Sequence, residues 1–288
     1  MKLVSFSTHG KNIQAGVLGS DSGRGGPDAM ITGFSVNGDI SALDVITSGA
    51  RSLHQMIGSK TCPIFPLNEV RLHAPLPNPP RVFAIGLNYR DHAVESGMAI
   101  PTTPVVFFKL TTSVIGPGEA IVLPKNSTQP DYEAEFAFVI GKGGYRIPAS
   151  AWREHVYGYT VVNDVSARDV QFSSTQWSMS KSFPTFCPFG PAIVTADEIA
   201  DPHQLAISLE IDGVQLQNSN TRELVFKIPE LVEYLSSITP LLPGDIISTG
   251  TPPGVGLGRN PKRWLRPGET VTVKVEGLGS LTNPVVAE

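Results

Sequence analysis

Cysteine is almost missing from this 288-residue chain. Cys62 and Cys187 stand apart without Cys-x-x-Cys spacing, which excludes a disulfide framework and a thiolate metal site and leaves two thiols expected to be buried. Charge is sparse too: 17% of residues are charged, the formal net charge is -4, and no Lys/Arg cluster runs along any segment. Nothing therefore marks an electrostatic footprint for nucleic acid, and a small anionic ligand would need local cations. No apolar run is long enough to cross a bilayer, and residues 1–9 carry one basic residue and no sustained apolar stretch, so no membrane association is expected and a cytoplasmic location is. Internal repeats and low-complexity tracts are missing, and strands do not alternate regularly with helices. That argues against a doubly wound parallel sheet and for a mixed α+β fold.

What is present can fill a substantial core, with 41% hydrophobic residues. Strand-like runs are read at 2–7, 13–18, 30–36, 81–86, 105–109, 120–123, 133–141, 156–163, 192–195, 205–211, 245–249 and 270–275. Helices are expected at 44–57, 88–97 (Asn88 as a possible N-cap, Gly97 as the stop) and 228–236. The Gly-rich stretch 19–26 lacks a following Gly-Lys-Ser/Thr and reads as a hairpin tip rather than a phosphate cradle. Pro63, Pro66, Pro75, Pro77, Pro79 and Pro80 crowd one short segment, as a linker would, so a small N-terminal α/β domain (1–70) and a larger second domain (71–288) are expected.

Chemistry concentrates between residues 131 and 181. Along a strand, Glu133 and Glu135 share one face about 7 Å apart, while Phe136, Phe138 and Ile140 take the other. Ala137 and Val139 continue the acidic face as small apolar residues, so that face runs into the core, where paired like charges are costly unless a cation holds them. Asp164, ending an apolar strand, is the natural third ligand, and three carboxylates describe a hard ion, Mg²⁺ or Mn²⁺. An E-x-E alone is more often a solvated strand face. His92 and Glu95, at i and i+3, share a helical face where the carboxylate can orient the imidazole; taken singly, such a pair is more often a surface helix. Ser166 to Asp169 has capping-box spacing and should open a helix presenting Arg168 and Gln171, though a surface Arg accounts for it equally well. Lys181 lies among Trp177, Met179, Phe183 and Phe186, so its ammonium needs a partner; Lys109, beside Phe107 and Phe108, is expected to reach solvent instead. Asp245 to Gly256 reads as a strand entering a Gly/Pro loop where Thr251 and backbone N–H groups could hold a carboxylate, with a purely structural loop as the even alternative.

Together, the segments Gly86 to Glu95, Asp131 to Glu135, Val162 to Gln171, Lys181 to Phe183, Cys187 to Pro191 and Ser248 to Gly256 resemble the fumarylacetoacetate hydrolase family, in family order over residues 72–288. The resemblance implies a mixed β-roll catalytic domain, a homodimer, and Mg²⁺ (Mn²⁺ as second choice) on Glu133, Glu135 and Asp164. It implies His92 and Glu95 as a water-activating dyad, Lys181 as a catalytic cation, and Arg168, Gln171 and Thr251 around substrate. Pro184 departs from the Asp or Gly that often follows Lys-Ser-Phe in similar sequences. The implied reaction is hydrolysis of a carbon–carbon bond in a β-diketone or 2,4-dioxo acid, an acylpyruvate of aromatic catabolism for instance. The alternative is lyase or isomerase chemistry on a 2-oxo acid, for instance decarboxylation of an acid of the oxaloacetate type, and a third reading is a metal-stabilised binding protein.

Overall fold

The computed structural model describes residues 1–8, 12–19, 29–34, 40–48, 62–91 and 99–288. The expected helix over 88–97 falls mostly outside them, as do residues 20–26 of the Gly-rich stretch and the later part of the helix expected over 44–57, of which 42–48 is helical.

A mixed α+β architecture results, dominated by sheet. The longest run of paired strands follows the order Ile64–Pro66, Met30–Gly33, Gln14–Leu18, Lys2–Ser7, Cys187–Thr195, Val156–Asn163, Ala134–Ile140, Ile246–Ser248, Val82–Gly86, Val105–Lys109. A second, five-stranded sheet follows Val214–Asn220, Ala206–Ile211, Thr270–Val275, Gly279–Ala287, Ile121–Leu123. Pairing is mainly antiparallel; Ile246–Ser248 beside Val82–Gly86 is one parallel exception. The polar strand Val214–Asn220 and the strand Gly279–Ala287 carry too little alternation to stand out in sequence, and the neighbouring sheet, not local propensity, fixes them.

The central strand Ala134–Ile140 is buried on both faces. Phe136, Phe138 and Ile140 enter a core shared with Leu209 and Val273 of the second sheet and with Leu231, Val232 and Leu235 of the helix Ile228–Ile238. That helix repeats apolar residues at helical spacing, carries proline in its first turn and stops at Thr239, which Pro240 holds in the extended region. The opposite face, Ala137 and Val139, packs on Leu3, Ala15, Phe34, Val45 and Ile46. Backbone pairing thus crosses the boundary expected near residue 70: Lys2–Ser7 pairs with Gln14–Leu18 along one edge, and along the other with Cys187–Thr195 at its start and Arg71–His73 at its end. The proline-rich segment is no free tether, because Ile64–Pro66 and Arg71–His73 are both paired. Cys187 is buried, with its thiol pushed up to about 12 by burial, whereas Cys62 is half-buried rather than buried.

Candidate active site

Antiparallel register builds the acidic centre. Glu135 pairs with Val162 and Ala134 with Asn163, so the chain leaving Asn163 delivers Asp164 opposite Glu133, whose carbonyl accepts the Asp164 N–H at 2.9 Å. Glu133, Glu135 and Asp164 are all buried, with carboxylate oxygens within 4.8 Å of one another. Burial, then the charges of Asp164 and Glu133, holds the Glu135 carboxyl well above the usual carboxylate range. Its Oε2 accepts from Ser248 Oγ at 2.5 Å and from Gly250 N at 3.0 Å, and Gly250 sits at φ +96°, a conformation that favours glycine. An oxygen-only set of three buried acids, with oxygens within 4.8 Å of one another, fits a hard divalent cation, and these residues would hold it.

Three buried cations answer the acids. Lys181 Nζ bridges Glu133 Oε2 and Asp164 Oδ2, each at 2.7 Å, and sits 5.2 Å from the centre of the Phe107 ring. Burial opposes its charge, yet Asp164 and Glu133 outweigh that and raise its pKa. Arg168 reaches Glu133 Oε1 at 2.6 Å and Asp131 Oδ2 at 2.9 Å, and donates to Gln171 Oε1 at 2.9 Å. The third is Lys109, 2% exposed, whose Nζ lies 2.5 Å from Asp164 Oδ1 and also donates to the Lys181 carbonyl. The expectation that Lys109 snorkels to solvent is therefore overturned. Strand parity puts it on the inward side with Phe107, while Phe108 faces out.

Two further expectations are corrected. The helix Arg168–Gln171 has Ala167 as its N-cap with no side-chain cap, because Ser166–Ala167 is strand-paired with Pro130–Asp131 and Ser166 Oγ donates to the Asp164 carbonyl. Asn88 does not cap the segment after it: its amide is engaged by Phe226 N, Phe226 O and Thr249 O.

The centre opens on a cavity of about 420 Å³ lined by Glu133, Glu135, Arg168, Gln171, Lys181 and Thr251. Five of the residues expected around metal and substrate, with Lys181, are thus brought together; Asp164 reaches the same centre from below through its bonds to both lysines. His92 and Glu95 lie outside the described residues. The rest of the lining is largely apolar, including Phe107, Phe172, Trp177 and Leu257. Trp177 stacks edge-on against Phe107 at 5.7 Å and crosses Gly86, where a Cβ would stand 2.4 Å from the indole. Asp131, Lys109, Ser248 and Trp177 were not recognisable as site residues in the sequence, since each acquires its role from a partner far along the chain.

A family description, fumarylacetoacetate (FAA) hydrolase C-terminal, matches residues 81–286. The mitochondrial oxaloacetate tautomerase FAHD2A of Bos taurus is 40% identical over 290 residues, covering 99% of this chain and 92% of its own. Among solved structures, a 5-carboxymethyl-2-hydroxymuconate delta-isomerase from Mycobacterium smegmatis superimposes with a TM-score of 0.80 at 36% identity, with 100% of both chains covered. A fumarylacetoacetate hydrolase from the psychrophile Exiguobacterium antarcticum does so with a TM-score of 0.85 at 33% identity, again over 100% of both chains. Sequence motifs, fold and likeness over the full length converge, and the chain belongs to the fumarylacetoacetate hydrolase family.

Proposed function

We propose that this protein interconverts the keto and enol forms of a small 2-oxo acid of the oxaloacetate type, with a Mg²⁺ or Mn²⁺ ion on Glu133, Glu135 and Asp164. The observation that carries it is the set of buried acids and cations at a small cavity whose remaining lining is largely apolar. When bound, the ion supplies positive charge to the two oxygens of the 2-oxo acid end. Lys181 and Arg168 hold the carboxylate and the oxygen that gains charge as the enol forms, in a site buried enough to strengthen both contacts. Gln171, its amide oxygen taken by Arg168, turns its N–H groups to the ligand. The His92 and Glu95 pair of the sequence provides the base that takes the proton from carbon 3 and returns one to the enolate oxygen, or the reverse, so that no net proton is gained or lost. The names of the bovine and mycobacterial relatives support a proton-shifting reaction.

The test is the decay of the enol absorbance of fresh oxaloacetate with and without EDTA. Catalytic amounts of the Mg²⁺- or Mn²⁺-loaded protein should speed it without releasing carbon dioxide, and Lys181→Met should slow kcat by roughly 100-fold or more. No acceleration under any divalent ion sinks the reading. Hydrolysis of a 2,4-dioxo acid is the second reading, favoured by the intact His92-x-x-Glu95 spacing and the Exiguobacterium relative. It predicts stoichiometric pyruvate from an acylpyruvate, lost in His92→Ala while divalent binding persists. Carbon dioxide from oxaloacetate would instead identify a decarboxylase. A homodimer and a cytoplasmic location belong to the same proposal; the structure contributes only that none of the described helices is long and apolar enough to cross a membrane.

A further inference from the structure

Thr251 lines the cavity, and its hydroxyl can either donate to a ligand or accept from one. The neighbour that decides is Gln217, on the strand Val214–Asn220 of the second sheet and 1% exposed. Gln217 Oε1 accepts the Ala134 N–H at 2.8 Å, between the two glutamates of the acidic centre. Its Nε2 donates to the Pro252 carbonyl at 2.8 Å and to Thr251 Oγ1 at 2.9 Å. Reversing the amide would set its NH₂ against the Ala134 N–H and its oxygen against the Pro252 carbonyl, two repulsive contacts in place of two bonds. Backbone groups on both sides therefore fix which end of the amide faces Thr251.

From this geometry we infer that Gln217 is a positioning residue that biases Thr251 towards donating: by holding one lone pair of the Thr251 oxygen with an N–H, it turns the hydroxyl proton away from itself and towards the ligand. The cavity then favours at this point a strongly accepting oxygen, a carboxylate or enolate, over a neutral hydroxyl or an amide N–H. The chain thereby ties the second sheet to the chemistry of the first, since one side chain spans the backbone of the acidic strand and the Gly/Pro loop. The inference rests on the anionic 2-oxo acid reading proposed above.

Its test sets size against polarity. Gln217→Glu keeps the shape and still accepts from Ala134, but an ionised carboxylate draws the Thr251 proton to itself; Gln217→Leu deletes the amide and leaves Thr251 free to rotate. Oxalate, which carries the vicinal oxygens of a 2-oxo acid and nothing else, is titrated calorimetrically into the Mn²⁺-loaded proteins, with KM and kcat for oxaloacetate measured alongside. Gln217→Glu should weaken oxalate binding roughly 10- to 100-fold, raise KM by a similar factor with kcat much less affected, and exceed the effect of Gln217→Leu. Thr251→Val should weaken binding comparably, Thr251→Ser should restore it, and adding Gln217→Glu to Thr251→Val should cost little more. Gln217→Leu as damaging as Gln217→Glu, full additivity with Thr251→Val, or no oxalate binding to the Mn²⁺-loaded wild type would each overturn the inference. Oxalate binding with this ranking but no turnover of oxaloacetate would instead remove the functional reading and leave the hydrogen-bond assignment standing.

Discussion

Asp131 and Glu135 lie four residues apart, both buried carboxylates in the same acidic stretch, and the protein treats them in opposite ways. Asp131 is saturated: its oxygens accept from Tyr132 N at 2.8 Å, Gly256 N at 2.7 Å, Leu257 N at 3.0 Å and Arg168 Nε at 2.9 Å. Glu135 is left short, with hydrogen bonds among the described residues to Oε2 only and two other acids pressing on it. A carboxylate that the fold has fully paired is a fastener; here it pins the Gly/Pro loop and aims Arg168 at the cavity. A carboxylate held incompletely paired beside like charges is a place prepared for something to bind. The same side-chain chemistry thus separates structure from function by counting donors.

The widest test of this contrast removes each acid in turn. Asp131→Ala takes the acceptor from three backbone N–H groups and one of two ionic partners from the buried Arg168 guanidinium, so urea unfolding should show a loss of about 3–5 kcal/mol. Glu135→Gln relieves repulsion, and the metal-free protein should be as stable as the wild type or more so, while Mn²⁺ binding followed by electron paramagnetic resonance is lost. Should Glu135→Gln destabilise the metal-free protein more than Asp131→Ala, the division between fastener and ligand fails.

Lys109 supplies the intermediate case, a cation whose loss leaves Asp164 with Lys181 as its remaining ionic partner. Lys109→Met should cost about 2 kcal/mol in the absence of divalent ions, less than Asp131→Ala because it leaves no backbone N–H without its acceptor. Excess Mn²⁺ should then recover stability through binding to the folded state. Equal unfolding midpoints for Lys109→Met and wild type would show that the contact is neutral.

How much of this could be read in the sequence follows from how local each signal is. The shared face of Glu133 and Glu135, and the burial of that face through Ala137 and Val139, are properties of one strand and its period of two, and both hold in the structure. Asp164 was legible as the end of an apolar strand, although only the register with Glu133 brings it to the centre. Lys109 was misjudged because parity says which residues face alike but not which face is covered. Gln217 gave no sign at all, and Asp131 stood in a marked segment without its role being readable: the hydrogen bond from Ala134 N spans 83 residues to Gln217, and that from Gly256 N spans 125 to Asp131. The helix start at Ser166 failed for the complementary reason, since a capping pattern was overridden by strand pairing with Pro130 and Asp131.

The smallest effect sharpens the contrast most directly, because it follows a single proton. Glu135 has its carboxyl raised above 4.5, so the folded, metal-free protein holds that proton to higher pH than the unfolded chain does. The sign follows: metal-free stability declines as pH rises from about 4.5 through the folded-state pKa, the reverse of a carboxylate stabilised by a cation. An incoming divalent ion needs the ionised form, so its binding must expel the proton, and affinity must rise with pH while that proton is being displaced. Calorimetric titration of Mn²⁺ in buffers of different ionisation enthalpy should register up to about one proton released per ion at mildly acidic pH, shrinking as pH rises. Glu135→Asp, if it still binds, should release less, because a shorter side chain stands back from Glu133 and Asp164. Proton release unchanged across pH, or identical in that variant, would place the titrating group elsewhere and leave Glu135 no different in kind from Asp131.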